Sequence, residues 1–237
     1  MGNASALVDG GADVLEIGIP FSDPIADGPV IQAASQRALN AGLTPKKILA
    51  LTRELSRQHD LPLVLLSYYN PILAMGTERF LNSASKSGVS GLVIPDNPVG
   101  VDPEFEESVA KRRIDRILLA APNTPAERLV ETLTKTAGFL YLVSLYGVTG
   151  ARDLLGPTAA GTLRRIRSMN SEKVPILTGF GVSTPAHVKS LMSEGADGAI
   201  VGSALVQITK DHLDDPQETE RLLKRRVSEL KNATRKR

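Results

Sequence analysis

The 237-residue sequence has no cysteine, which excludes a disulfide scaffold, thiolate-ligated zinc, a thiol nucleophile and an iron–sulfur cluster. Long apolar runs are missing as well, none approaching the ~20 residues of a membrane span. The opening Met1-Gly2-Asn3-Ala4-Ser5 lacks the basic start and apolar stretch of a secretory signal, so cytoplasmic residence is the default expectation. Histidine is scarce. What is present, 42% hydrophobic and 23% charged, suffices for one large core, and a single domain over residues 1–237 is expected. The net charge of +2 conceals an asymmetry, because residues 221–237 carry eight Lys/Arg against one Glu. With no interleaved aromatics, that stretch reads as a solvated C-terminal helix and basic tail over residues 216–237, and no nucleic-acid partner is expected.

Seven short apolar runs of strand length recur: Val14 to Ile19, Leu63 to Leu66, Gly91 to Pro95, Ile117 to Ala120, Phe139 to Val143, Val174 to Leu177 and Ala199 to Val201. Between them lie segments of helical spacing such as Thr44 to Gln58, Thr77 to Lys86, Asp102 to Arg112, Thr124 to Lys135, Pro157 to Met169 and Thr184 to Met192. Thr44-Pro45, Thr124-Pro125 and Thr184-Pro185 each place a capping hydroxyl before a proline suited to the first helical position. The strands are continuously apolar, as expected when both faces of a parallel sheet are covered. An even march of βα units with no reversal favours a (β/α)8 TIM barrel over an open doubly wound sheet. A barrel of that kind needs eight strands. The expectation is therefore that the first strand and most of the first helix are missing, through truncation or a wrongly chosen start codon, and that the chain is unstable without them.

In the first run, Leu15, Ile17 and Ile19 share one face and Glu16 the other. In a barrel the outward face meets helices, so Glu16 points to the axis near the catalytic end, on a face expected to be buried. None of the apolar runs offers it a cation, which favours a functional carboxylate over a structural ion pair. Eleven residues on, a proline-braced loop carries Asp27, a second carboxylate above the same mouth, and the two can divide labour as proton carrier and ionised partner. Glycine turns follow the last two strands, Gly179-Phe180-Gly181 and Gly202-Ser203, the latter opening a helix. That is where barrels of this kind hold phosphate, on bare backbone N–H groups and a helix dipole. Tyr141 through Arg152 ends a strand and enters a glycine-shouldered loop suited to a lid. His59 precedes a strand, at the barrel's opposite end, and His187 and His212 fall in helices. No metal site is expected, and Ser22, Ser144 and Ser203 find no histidine for a Ser-His nucleophile. Acid/base work on a phosphorylated small molecule is the chemistry these residues imply.

The stretch Leu15-Glu16-Ile17-Gly18-Ile19-Pro20-Phe21-Ser22-Asp23-Pro24-Ile25-Ala26-Asp27-Gly28-Pro29 closely resembles the signature of the tryptophan synthase alpha chain family. Tyr68-Tyr69-Asn70-Pro71, Ala121-Pro122-Asn123-Thr124, Tyr141 through Arg152, Gly179-Phe180-Gly181 and Gly202-Ser203 extend the likeness from about residue 4 to the C-terminus. The resemblance implies a lyase that cleaves indole-3-glycerol phosphate to indole and glyceraldehyde 3-phosphate without a cofactor, in tryptophan biosynthesis. It gives proton transfer to Glu16 and stabilisation of the cationic indole to Asp27, with Tyr141 beside the glutamate. Glycerol phosphate falls to Gly150, Phe180, Gly181, Gly202 and Ser203. Ile31, Leu66, Tyr68 and Val93 line the indole pocket, and Thr149 is a lid threonine. The implied partner is a pyridoxal-phosphate beta chain in an alpha2beta2 complex, met through Asp23, Pro24 and Pro98.

Leu145-Tyr146 departs from the Arg and small polar residue common at that place in the family, so the lid would close through different contacts. Two other readings share part of the pattern: a non-catalytic regulatory partner of a beta-like chain, and a phosphate-binding barrel isomerase. The isomerase would need the glycine turns but neither the Asp23 to Pro29 loop nor an indole pocket.

Overall fold

The computed structural model describes residues 1–143, 157–179 and 181–235. In chain order its elements are α1 (Gly2–Asp9), β1 (Leu15–Gly18), α2 (Pro29–Asn40), α3 (Pro45–Gln58), β2 (Leu63–Leu66), α4 (Tyr69–Met75), α5 (Thr77–Lys86), β3 (Val89–Val93), α6 (Pro103–Lys111), β4 (Asp115–Ile117) and β5 (Leu119–Ala120). They continue through α7 (Ala126–Lys135), β6 (Leu140–Val143), α8 (Pro157–Met169), β7 (Ile176–Gly179), α9 (Pro185–Ser193), β8 (Gly198–Ala199), α10 (Ser203–Asp211) and α11 (Pro216–Thr234). All pairings are parallel and sequential, in two sheets ordered β1-β2-β3-β4 and β5-β6-β7-β8.

The expected run Ile117 to Ala120 is divided into β4 and β5. At the break, Leu118 N–H donates to the Thr136 hydroxyl at 3.0 Å while Leu118 C=O accepts Tyr141 N–H at 2.9 Å. The first piece pairs with β3 and the second with β6, so the wall passes through this strand and the two sheets make one curved surface. Among the described residues no ladder joins β8 to β1, and α2 packs on α10 instead.

Two layers of packing set the shape. Outward strand residues Leu65 and Leu92 meet Ile72 and Phe80 of the covering helices in one core, and Leu140 and Ile176 meet Leu129 and Leu163 in another. Within the wall, Val64, Val93, Ile117, Phe139 and Tyr141 make a third cluster, joined by Leu66, Val143 and Leu177. This alternation of inside and outside along each strand is the two-residue period of a barrel wall. Burying one such aliphatic side chain is worth about 1.5–3 kcal/mol.

The proline-led starts hold at two of three places. Thr44 and Thr184 accept the N–H groups of Lys47 and His187, whereas α7 begins one residue later than expected and is capped by Pro125 without a side-chain bond. The Thr124 hydroxyl is taken by Ala121 N–H at 2.8 Å, tightening the preceding turn, and so is not available to the helix. At the other end of the chain, α11 packs against α1, and Lys224 and Lys231 pair with Asp9 at 3.1 Å and Asp13 at 2.6 Å. Arg221 and Arg225 pair with Glu218 and Glu229 on the same helix. Much of the basic stretch is thus balanced locally.

Candidate active site

On β1, Leu15 is buried against Leu7 and Val8 of α1 and Leu55 of α3, which turns Glu16 to the inner face. The expected burial of Glu16 is corrected in one respect: the residue keeps a large exposed fraction. Its carboxyl is nonetheless desolvated by the surrounding wall. Enclosure still dominates its titration. Desolvation first, and the charge of Asp27 second, push Glu16 up to about 7.

Asp27 lies in the loop between β1 and α2. Gly28 caps α2 with Pro29 in its first turn, Asp27 N–H donates to Pro24 C=O at 3.1 Å, and Gln32 Nε2 donates to Asp27 C=O at 2.8 Å. Desolvation raises the Asp27 carboxyl, while a hydrogen bond from the Tyr68 hydroxyl pulls it back. Tyr141, on the inner face of β6, is raised by burial and then by the charges of Glu16 and Asp27, so the three groups share one electrostatic neighbourhood. Two carboxyls beside a phenol, both pushed up by burial but only Asp27 pulled back by a donor, can divide acid and base roles.

Gly179 makes room for this arrangement. A methyl group there would sit 2.7 Å from Tyr141 Oη, so the end of β7 must be bare for the ring to lie across it. From sequence Gly179 reads as part of a glycine turn, and nothing in one strand reveals which ring crosses it.

The remaining assignments fall as follows. Leu66 and Val93 are on the inner face with Tyr141, Val93 fully buried, and Ile31 is half-buried on α2. Tyr68, at the end of β2, is only 2% exposed, leaving little of its ring to line a pocket. Gly181 is exposed at φ 81°, a left-handed conformation suited to glycine, and Gly202 and Ser203 are exposed at the N-terminus of α10. The first amides of a helix have no carbonyl partner within it and are free to meet an anion. Asp23 and Pro98 are exposed and Pro24 is half-buried, on loops after β1 and β3. Thr149, Gly150 and Phe180 lie outside the described residues, as do Ser144, Leu145, Tyr146 and Arg152.

The loop carrying Pro98 is held by contacts that sequence reading does not reveal. Arg116, buried on β4, donates from Nη2 to Asn97 C=O at 2.7 Å and to Pro98 C=O at 3.3 Å, and stacks over the Phe105 ring. Its Nη1 is 2.7 Å from Glu106 Oε1, an ion pair out of line for a hydrogen bond. Glu106 accepts Gly100 N–H at 2.7 Å, and Arg128 donates to Val99 C=O at 2.9 Å. Among the described residues there is no cluster of His, Asp and Glu fit for a metal ion, and no helix long and apolar enough to cross a membrane.

Sequential parallel strands with covering helices, and ionisable groups gathered on the inner face of the strands and the loop after β1, define the class: an α/β barrel of the (β/α)8 type. A model of the tryptophan synthase alpha chain family matches residues 2–235. The tryptophan synthase alpha chain of Methanoregula boonei is 45% identical over 230 residues, covering 97% of this chain and 86% of the relative. That of Pyrococcus furiosus is 46% identical over 228 residues, covering 96% and 90%. Among solved structures, a mutant tryptophan synthase alpha-subunit from Pyrococcus furiosus superposes with a TM-score of 0.87 at 43% identity, covering 98% of this chain and 91% of that one. A chain of the tryptophan synthase complex from the same organism gives a TM-score of 0.87 at 42% identity, covering 98% and 90%. The chain belongs to the tryptophan synthase alpha chain family.

Proposed function

We propose that this chain is the alpha subunit of a tryptophan synthase, cleaving indole-3-glycerol phosphate to indole and glyceraldehyde 3-phosphate without a cofactor of its own. The observation that carries the reading is the set of Glu16, Asp27 and Tyr141 in one neighbourhood, with Glu16 pushed up to about 7. A carboxyl at that value is present in both forms at neutral pH, the condition for giving a proton and taking one in the same turnover.

The reaction is a retro-aldol step. Glu16 as the acid protonates indole C3, and as the carboxylate it takes the proton of the hydroxyl on the neighbouring side-chain carbon. The bond between C3 and that carbon breaks, its electron pair restores the aromatic ring, and the hydroxyl-bearing carbon becomes the aldehyde. One proton has left Glu16 and one has returned. Protonation at C3 makes the ring cationic, and an ionised Asp27 accepting the indole N–H stabilises that charge where it develops. Tyr141 packs beside the glutamate. Leu66, Val93 and Ile31 supply the apolar side of the site, with Tyr68 packed behind it, and Gly181, Gly202 and Ser203, with Gly150 and Phe180, take the phosphate.

The partner in this reading is a tryptophan synthase beta chain, holding pyridoxal phosphate and docking on the loops of Asp23, Pro24 and Pro98 in an alpha2beta2 complex in the cytoplasm. The test is indole release from indole-3-glycerol phosphate by the purified chain, with and without a beta chain. Indole in both arms, more of it with the beta chain, is the expected result. No indole in either arm contradicts the reading.

A further inference from the structure

Tyr68 occupies an unusual place for a pocket wall. Its backbone is pinned on both sides: Ser67 N–H donates to Val93 C=O at 3.0 Å, continuing the ladder toward β3, and Tyr69 N–H donates to the Asp96 carboxylate at 2.9 Å. The ring is buried and packs on Phe21 at 5.5 Å between centroids. Its hydroxyl reaches across 42 residues of sequence to accept Ala26 N–H at 2.9 Å. The neighbouring residue on that loop is Asp27, whose carboxyl the hydroxyl pulls down as a donor against the larger upward push of desolvation. A phenol offers one donor and accepts through its lone pairs, so both sides of this hydroxyl are used on consecutive residues of one loop. Ser22, Asp23 and Ile25, by contrast, are exposed, Ile25 by 83%.

We propose that Tyr68 is a positioning residue for Asp27: its hydroxyl, fixed just beyond the end of β2, pins the loop at Ala26 and so sets where the Asp27 carboxylate stands above the mouth. This rests on the catalytic role given to Asp27 above and adds the device that orients it. A hydrogen bond to the charged form favours that form, and this one opposes the desolvation that would protonate Asp27.

The test separates ring from hydroxyl. Tyr68→Phe keeps the ring and its contact with Phe21 and removes only the hydroxyl. It is expected to lower kcat for indole release by about tenfold with KM nearly unchanged, the loss typical of a hydrogen bond to a charged group. The acid limb of the pH profile is expected to move to higher pH, because Asp27 without its donor titrates higher. Asp27→Asn alone should also lower kcat, and the double variant should lose no more than Asp27→Asn. If Tyr68→Phe does not fold, 3-fluorotyrosine placed at position 68 alone keeps each contact while strengthening the donor, and should move the acid limb the other way. Wild-type kcat and an unmoved acid limb in Tyr68→Phe, an unmoved limb with fluorotyrosine, or losses that multiply in the double variant would overturn the inference. Full activity in Asp27→Asn would instead overturn the role of Asp27, and the inference with it.

Discussion

The two halves of the barrel wall carry the site in different ways. At the mouth of the β1-to-β4 half, loops are held by side chains reaching from elsewhere: Tyr68 to Ala26 and Asp27, Tyr69 to Asp96, Arg116 to Asn97 and Pro98, Arg128 to Val99. At the mouth of the β5-to-β8 half, among the described residues, the notable features are places with no side chain: Gly179 under Tyr141, Gly181 in a left-handed turn, and Gly202 at the start of α10 with open space where a Cβ would stand. The difference follows from the work assigned to each. A carboxylate that moves protons must be aimed, which takes a fixed scaffold. An anion held by backbone N–H groups needs those groups uncovered, which takes glycine.

The largest effect should come from the aimed half. Glu16→Gln is expected to lower indole release by at least ~10², read from steady-state kinetics, since the amide can neither give nor take the proton. The wiring of that half should show next in stability. Arg116→Met leaves Glu106 half-paired and the carbonyls of Asn97 and Pro98 without their donor, at a cost of about 3 kcal/mol in urea denaturation. A loss below about 1 kcal/mol would mean that the loops of this half stand without their side-chain ties.

On the other half, Gly179→Ala should push the Tyr141 ring, destabilising by about 1–3 kcal/mol and lowering activity, because the added methyl meets the phenol at 2.7 Å. The smallest effect is in pH-dependent stability. Folding raises Glu16 from 4.5 to about 7, so the native state binds more protons than the unfolded one in that window, and stability falls as pH rises through it. Glu16→Gln should therefore raise stability at pH 8 by on the order of 1 kcal/mol, since solvent reaches the residue, with a matching rise in Tm, and bring no gain at pH 4. A thermal melt at the two values checks this.

The halves also differ in how far the sequence reveals them. The strand runs, the Thr77 to Lys86 helix and the Pro157 to Met169 helix are legible because apolar period and proline placement are local signals. Helix α2 escapes the period, as it buries no residue, and α4 is seven residues long with Pro71 in its first turn. The Thr124 cap fails because a turn competes for its hydroxyl. Glu16 is legible as an inward carboxylate, but its exposed fraction is a property of the assembled wall that no single strand encodes. The glycine turns are legible because glycine states its backbone freedom directly. The ties of Tyr68 and Arg116 are not, since they join residues 42 and 18 or 19 positions apart by contacts no local pattern encodes.

The most direct test is the pH dependence of kcat/KM for indole release from indole-3-glycerol phosphate. A bell is expected, its basic limb near pH 7 as Glu16 loses its proton and its acid limb set by Asp27, with the basic limb moving to lower pH in Asp27→Asn because the charge that raises Glu16 is gone. A profile that is flat from pH 6 to pH 9, or a basic limb that survives unchanged in Glu16→Gln, would contradict the assignment of proton transfer to Glu16.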